Sequence, residues 1–350
     1  MKYRDLEVTQ QWAKVSTELE YSDIPDIVLH RMKIALIDGI GCLIAGMDSP
    51  TLQLLQKFNF TYYGLQPSKV SVPIFSTTHK ADLFMAAFIH GCATHVFDFE
   101  PMWHPPTHPI SPVLPALISL TYSSTISGQE FLLGFAVALE MESRLSLLRK
   151  GSDVPLIYHP PGVEGSMAAT LGCAKLSKLN LLKTCYALGI CASRSSGIMA
   201  NVGTMTKCMH SGHAARMGLE SACLADMGFE SNNCVLSDPQ GYIAAFGDIT
   251  KMSNMKLITS FGNPFWLEKQ DFGFKKYPSQ FSTQFAIESA IELSKKIDPD
   301  NIASIEIIWP VLHYLDRPNV LNGLAAKFSL QYLVSKSLIE GNITNQSFTE

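Results

Sequence analysis

Charged residues are scarce in this chain of 350 residues, and none of them form a basic cluster. Lys and Arg total 27 and Asp and Glu total 31, which leaves a formal net charge of −4. Binding to nucleic acid or to an anionic membrane requires a basic patch, which the sequence does not contain. It also lacks a run of 18 apolar residues, the length that a membrane-spanning helix requires. We therefore predict neither nucleic acid nor a membrane as a partner.

The common cofactor and nucleophile motifs are also absent. The sequence has no P-loop, no dinucleotide-binding glycine pattern, no GxSxG and no HExxH. Its eight cysteines form no CxxC pair, which is typical of buried, reduced thiols in a cytosol-like compartment. The N-terminal segment MKYRDLEVTQQWAKV includes no apolar signal region. We predict a cytoplasmic protein without cofactor or metal, with the mitochondrial matrix as the alternative compartment.

Apolar residues make up 47% of the chain and recur at helical spacing as far as about residue 260. We therefore predict a large all-helical main domain over 1–261. The pattern then changes to a helix at 283–296, a strand of alternating branched residues at 303–314 and a last helix at 325–340. One strand cannot form a sheet alone, so 262–350 is predicted to be a partial α+β lid domain in a mainly α fold.

The stretch from His90 to Pro115 concentrates titratable groups within the helical region. It holds four of the ten histidines, six prolines and the acids Asp98 and Glu100. Proline fixes φ and lacks an N–H, so the stretch is predicted to form a rigid loop between two helices. Its histidines suit proton transfer, although any single one can equally be structural. We assign structural roles to His90 and His95, which lie at the end of a predicted helix.

Lys207 stands at the predicted start of a long helix, in nearly apolar sequence. Backbone N–H groups and the helix dipole favour anions at such a position. With histidines near other helix starts, Lys207 would form a small cationic pocket suited to a carboxylate-rich metabolite. One alternative is a solvated lysine on an exposed turn. Another is a metal triad of Asp98, His210 and His213, which is less favoured because structural histidines are more common.

Seven segments, which keep one order over nearly the whole chain, resemble the MmgE/PrpD family. They are LIDGIGCLIAG (36–46), HGCATHVFDFEPMWHPPTHPISPVLPA (90–116), YHPPGVEGSMAAT (158–170), MTKCMHSGHAARMGLESA (205–222), FKKYPSQFST (274–283), HYLDRP (313–318) and KFSLQY (327–332). The WHPPTHP run is more similar to the decarboxylases of the family than to its dehydratases. The resemblance implies a large helical domain with a small α+β lid, usually in a homodimer, with the pocket between the domains. It also implies that the lid of this chain is incomplete at its C-terminal end.

The resemblance implies a cofactor-independent lyase that decarboxylates or dehydrates a small di- or tricarboxylate, of the cis-aconitate or 2-methylcitrate type. Such a reaction needs cations that hold carboxylates and a positioned group that moves one proton. His108 is the first candidate for proton transfer and Tyr314 the second, and Asp98 would orient a histidine. Lys207, Lys275 and His159 would bind carboxylates. The complete set of candidates is His108, His159, Lys207, Tyr314 and Asp98 for catalysis, and Lys275, His104, Lys276 and Gln280 for substrate binding.

Two departures from the family pattern predict a reshaped substrate pocket. The residues from Asp98 to Met102 read D-F-E-P-M where many members have D-F-D-D-T, which removes one acid and a hydroxyl. Gln280 stands where the decarboxylases have a histidine, and a glutamine amide acts as neither acid nor base. The alternatives to the lyase are an epimerase or isomerase of a related acid, and a truncated, inactive member that only folds and dimerises.

Overall fold

The computed structural model describes residues 7–63, 69–149, 156–254, 259–310 and 313–349, and helices dominate it. The predicted mainly α fold class is confirmed. Among those residues, no helix combines the length and the hydropathy that crossing a bilayer demands.

Contacts between Cα atoms divide the described chain into two units. The larger unit contains the described residues up to Val96, Glu100–Ala200 and Cys208–Gly273, and the smaller contains Phe97–Phe99, Asn201–Lys207 and the described residues from Phe274 onward. The domain boundary between residues 261 and 262 stays a prediction.

The larger unit is built from helices and one short hairpin. Its helices are α1 (Val8–Glu18), α2 (Asp26–Gly46), α3 (Pro50–Tyr62), α4 (Leu83–His95), α5 (Ile110–Leu120), α6 (Gly128–Leu147), α7 (Pro160–Leu176), α8 (Leu181–Ala192), α9 (Thr206–Asp226, whose first two residues belong to the smaller unit), α10 (Tyr242–Phe246) and α11 (Trp266–Lys269). The antiparallel hairpin consists of β1 (Ser71–Pro73) and β2 (Lys80–Asp82), with Val72 opposite Ala81. Shorter 3-10 turns lie at Tyr21–Asp23, Met199–Asn201 and Ile249–Ser253.

Helices α4 to α7 form the centre of the larger unit. Helix α6 packs along α7, and α5 packs against both α4 and α7. Almost every residue of α4 and α7 is buried, as expected of helices that are apolar all round. Asp82 caps α4, because its carboxylate accepts hydrogen bonds from the N–H groups of Phe84 and Met85. The helix therefore starts at a defined residue and ends at His95.

Glycines allow these helices to approach one another closely, as the small residues of α2 suggest. A Cβ on Gly46 of α2 would lie 1.9 Å from the carbonyl oxygen of Ala93 in α4. A Cβ on Gly212 of α9 would lie 2.4 Å from Sγ of Cys92, which is also in α4. A side chain would not fit at either position. Since glycine has none, α4 can lie directly against both α2 and α9.

The smaller unit encloses a separate apolar core. Its helices are α12 (Gln284–Ser294), α13 (Gly323–Ala326) and α14 (Leu330–Glu340), with 3-10 turns at Phe281–Thr283, Pro299–Asn301, His313–Leu315 and Asn345–Phe348. Helix α12 packs along α14. The buried core consists of Tyr277, Ile287, Ile291, Ala326, Leu333, Ile343 and Phe348.

The strand predicted over 303–314 is wrong for the part that the structure describes. Residues 303–310 form no strand, and Ile305 and Ile308 within them are 45% and 88% exposed. Val311 and Leu312 lie outside the described residues. Alternating branched residues form a strand only where a partner accepts their hydrogen bonds, and no described segment of the smaller unit is a strand.

Candidate active site

A buried carboxylate lies against two histidines in the larger unit. Glu100 precedes the proline-rich segment that leads to α5, and its side chain is fully buried. Its Oε1 is hydrogen-bonded to Nδ1 of His95, the last residue of α4, and lies 3.1 Å from Nδ1 of His108. The rings of His95 and His108 meet edge to face, with centroids 4.6 Å apart. A carboxylate at two ring nitrogens fixes the orientation of the imidazoles and favours their charged forms.

Glu100 carries a negative charge inside this group. Burial by itself would raise the pKa of the Glu100 carboxyl. The charges of His95 and His108 and their hydrogen bonds outweigh that effect and hold the pKa well below its usual range. An imidazolium beside such a carboxylate can give up a proton, and the neutral ring can take one back.

Two further histidines extend the group. His159 stands at the N-cap of α7, and its Nδ1 lies 3.1 Å from Nδ1 of His210 on α9. Two imidazolium rings would repel each other at that distance, so the pair favours at most one positive charge. The ring centroid of His159 lies 5.4 Å from that of His95 and 6.4 Å from that of His108. We call His95, Glu100, His108, His159 and His210 the histidine cluster.

The other histidines singled out in the sequence lie elsewhere in the larger unit. His213 packs its ring against that of Phe88, with centroids 4.8 Å apart. His90 accepts a hydrogen bond at Nε2 from a backbone N–H, and burial lowers its pKa to about 4. His90 is therefore neutral at pH 7, which agrees with a structural role. His104 is exposed, and its part in substrate binding stays a prediction.

Two buried lysines contact Asp98 in the smaller unit. Nζ of Lys207 donates to Oδ1 of Asp98 at 2.6 Å. Nζ of Lys275 lies 3.2 Å from Oδ2 and also donates to the backbone carbonyl of Asp98. Asp98 has a φ of 53°, in the left-handed region that costs a residue other than glycine about 1 kcal/mol or more. Contacts from both lysines offset this cost and hold the carboxylate in place.

A third buried lysine, Lys327, was not among the predicted site residues. Its Nζ donates to the carbonyl oxygen of Pro278 at 2.7 Å. Burial lowers the pKa of Lys327 to about 7, and the charges of the two neighbouring lysines act in the same direction, against that of Asp98. We call Asp98, Lys207, Lys275 and Lys327 the lysine cluster. Its ammonium groups outnumber its carboxylate, so a bound anion would stabilise them.

The remaining predicted residues of the smaller unit are partly or fully exposed. Tyr314 is 37% exposed, and its hydroxyl accepts a hydrogen bond from Nε2 of Gln280 at 3.0 Å. Burial raises the pKa of Tyr314, and the charge of Asp98 adds to the effect. Lys276 donates to both carboxylate oxygens of Glu288 at 2.9 Å. The structure thus joins Tyr314 to Gln280 and pairs Lys276 with an acid, and their roles toward a substrate stay predictions.

Glu100 and Lys327 were not among the predicted site residues, and His95 was predicted to be structural. A signal for Glu100 was present, since an acid in an apolar segment beside several histidines needs a partner if it is buried. Lys327 begins the KFSLQY segment, one of those that carry the family resemblance. The signal for His95 was weaker, because only the fold shows that α4 ends beside the loop that carries His108.

Known proteins match both parts of the chain. The MmgE/PrpD N-terminal domain model matches residues 10–254, and the MmgE/PrpD C-terminal domain model matches residues 277–350. The cis-aconitate decarboxylase of Homo sapiens is 30% identical over 98% of this chain and 73% of the human protein. That of Mus musculus is 30% identical over 97% of this chain and 71% of the mouse protein. A cis-aconitate decarboxylase of Aspergillus terreus (strain NIH 2624) is 25% identical over 98% of this chain and 74% of the fungal protein.

Proposed function

Because the chain belongs to the MmgE/PrpD family, we propose that it is a cofactor-independent lyase that removes CO₂ or water from a small di- or tricarboxylate. The lysine cluster is the observation that supports this most strongly. Two of its buried lysines share one carboxylate, and burial lowers the pKa of the third, Lys327, to about 7. Buried cations in excess of acids are costly unless an anion joins them, and a polycarboxylate supplies several negative charges.

The chemistry of decarboxylation matches the residue types of the two clusters. The bond from the leaving carboxylate to its neighbouring carbon breaks, CO₂ departs, and the electron pair stays on the substrate until a proton arrives. Lys207 and Lys275 would hold the carboxylates and stabilise the developing negative charge. His108 would deliver the proton, with Tyr314 as the second candidate.

Glu100 supports a more specific role for His108. Oε1 of Glu100 lies 3.1 Å from Nδ1 of His108. A carboxylate this close to Nδ1 favours the tautomer that carries its proton on Nδ1, and Nε2 would then be the nitrogen that exchanges a proton with the substrate. Glu100 would therefore orient the histidine, and Asp98 would hold the ammonium groups of Lys207 and Lys275. The role first given to Asp98, that of orienting a histidine, is the alternative.

A panel assay of the purified protein tests the proposed function. Uniformly ¹³C-labelled cis-aconitate, 2-methylcitrate and citrate would each be incubated with the protein and followed by NMR. CO₂ loss, water loss and epimerisation give different carbon spectra, so one measurement separates the three reactions. The names of the relatives make cis-aconitate the first acid to test, and we expect CO₂ and a dicarboxylic acid from it. A folded protein that turns over none of these acids would contradict the proposal.

Variants of each cluster test the assigned roles. We expect His108→Ala to lower kcat by about 10²- to 10⁴-fold, the usual contribution of a general acid. Lys207→Ala should lower kcat/KM by a similar factor, because it removes a carboxylate-binding cation and leaves Asp98 with one buried partner fewer. Lys295→Ala is the matched control, since Lys295 is exposed, lies directly after α12 and pairs with Glu292 at the surface of that helix. Turnover near that of the wild type in the first two variants would show that the roles are wrongly assigned.

We propose that the assembly is a homodimer, which is what the family resemblance implies. Helix α2 supports it with a row of exposed isoleucines opposite its buried face. They are Ile34, Ile37, Ile40 and Ile44, which are 41% to 73% exposed. Contiguous apolar surface of this kind is uncommon on monomers. We expect sedimentation of the wild type as a dimer and of Ile37→Glu as a monomer, with Ile308→Glu in the smaller unit as the control. A wild-type monomer would rule the dimer out.

A further inference from the structure

The segment that carries His108 has few backbone contacts that could hold its shape, among them an antiparallel bridge between Trp103 and Thr107. Four of residues 101–109 are prolines, which supply no N–H. Met102 exchanges two backbone hydrogen bonds with Gly273 at the start of the segment. The bridge joins the stretch nearer His108 only to itself, so contacts from side chains are needed to fix this stretch against the helical core.

Two side chains of the helical core supply such contacts immediately before His108. Oγ1 of Thr107 donates to Oε1 of Glu142 on α6 at 2.7 Å, and both side chains are fully buried. Nη1 of Arg149, two residues after the end of α6, donates to the carbonyl oxygen of Pro106 at 3.0 Å. Both residues that precede His108 are thus bonded to the same region of the core.

Arg149 is itself held rigidly by an acid on α7. Its Nε and Nη2 donate to the two carboxylate oxygens of Glu164 at 2.7 and 2.6 Å, the strong two-pronged geometry of a guanidinium–carboxylate pair. The hydroxyl of Tyr158 donates to the backbone carbonyl of Phe246 at 2.8 Å and lies 3.3 Å from Oε1 of Glu164. Tyr158 directly precedes His159. The Arg149–Glu164 ion pair therefore contacts Pro106, two residues before His108, and Tyr158, directly before His159.

The protonation of Glu142 fits a positioning role. Burial raises the pKa of Glu142 to about 8, and the charge of Glu164 acts in the same direction, against the Thr107 hydrogen bond and the charge of Arg149. As a neutral acid, Glu142 accepts the Thr107 bond without adding a second negative charge beside Glu164. Glutamine has the same shape and the same acceptor, so it should replace Glu142 without moving the segment.

We infer that Thr107, Glu142, Arg149, Glu164 and Tyr158 form a positioning network that fixes the imidazoles of His108 and His159 for proton transfer and substrate binding. None of the five acts on the substrate itself. The inference rests on the proposed function, since only that function gives the two histidines a substrate.

Thr107→Val and Tyr158→Phe test the network with minimal change of shape. Each removes one hydroxyl link, so each should lower kcat by about tenfold or more with KM within about twofold, because a small displacement of a proton donor slows the chemical step. The pH optimum of kcat should also shift in Thr107→Val. Glu142→Gln should keep wild-type kcat, whereas Glu142→Leu, which cannot accept the Thr107 bond, should lose activity as Thr107→Val does.

Matched controls separate positioning from general stability. Thr170 is equally buried, and its hydroxyl donates to the carbonyl oxygen of Ser166 within α7. The hydroxyl of Tyr242 is buried without a hydrogen-bond partner among the residues that the structure describes. Thr170→Val and Tyr242→Phe should therefore keep kcat. If the controls lose kcat as much as Thr107→Val and Tyr158→Phe, or if none of the variants changes kcat, the inference is wrong.

A second readout does not depend on turnover. In protein with ¹³C- and ¹⁵N-labelled histidine, the signal of His108 is identified by its loss in His108→Ala. It should move or broaden in Thr107→Val and stay in place in Thr170→Val. A wild type that turns over no acid in the panel would refute the proposed function, while an unmoved His108 signal in Thr107→Val would refute the network.

Discussion

Replacing Glu142 with glutamine should change how the stability of the protein depends on pH. The carboxyl group is fully buried, and its pKa rises from an ordinary value of 4.5 to about 8. Between these two pH values the folded protein keeps a proton on Glu142 that the unfolded chain has released. Stability is therefore lost as the pH rises from 4.5 to about 8, because folding then requires proton uptake at this site.

The size of the effect follows from the two pKa values. The difference between 4.5 and about 8 corresponds to about 5 kcal/mol of unfolding free energy, at about 1.4 kcal/mol for each pH unit. Glu142→Gln cannot ionise and still accepts the hydrogen bond from Thr107. We expect the variant and the wild type to have similar stability at pH 5. At pH 8 the variant should be the more stable by several kcal/mol.

Urea unfolding at pH 5, 6, 7 and 8, followed by tryptophan fluorescence, measures this difference. Glu230→Gln is the control, since Glu230 is an exposed acid in the same unit. A constant difference between Glu142→Gln and the wild type from pH 5 to pH 8 would refute the reasoning. It would mean that Glu142 is ionised in the folded protein.

Two further predictions concern buried charges. Glu140→Ala should lower the free energy of unfolding by about 3 to 5 kcal/mol. The variant leaves the buried Arg144 without its carboxylate and the N–H groups of Gly262 and Trp266 without an acceptor. A loss in urea unfolding no larger than that of Glu230→Gln would contradict this. Lys327→Met should raise the thermal midpoint most at pH 7 and progressively less toward pH 10. Burial lowers the pKa of Lys327 from 10.5 to about 7, so between these values folding releases a proton and the wild type gains stability as the pH rises. A gain independent of pH would contradict the lowered pKa.

The helical architecture could be predicted because apolar periodicity is a local property. Helices such as α2 and α6 carry their start signals and their apolar residues within one continuous stretch. A local pattern could not decide whether residues 303–314 form a strand. Its alternating residues satisfy a local pattern, whereas a strand also needs a partner from another part of the chain.

The same limit applies to the candidate site. Lys207 and Lys275 were both predicted to bind carboxylates, Lys207 from its position at a helix start in nearly apolar sequence and Lys275 from the family resemblance. The structure brings both to Asp98. The contact between Glu100 and His95 could not be predicted, since the two side chains meet only after α4 ends and the chain turns back. The role of Glu142 could not be predicted from the sequence either, because Glu142 is one of several acids in the same helix.

Decarboxylation of cis-aconitate in D₂O is the most direct test of the proposed lyase. Substrate with ¹³C in its carboxyl groups would be followed by NMR with the wild type and with His108→Ala, in buffer treated with a chelator. We predict labelled CO₂ and bicarbonate from the wild type, one deuterium on the product carbon, and a rate at least about 10²-fold lower in His108→Ala. Equal rates in the two proteins, or activity that disappears with the chelator, would contradict a cofactor-independent lyase in which His108 transfers the proton.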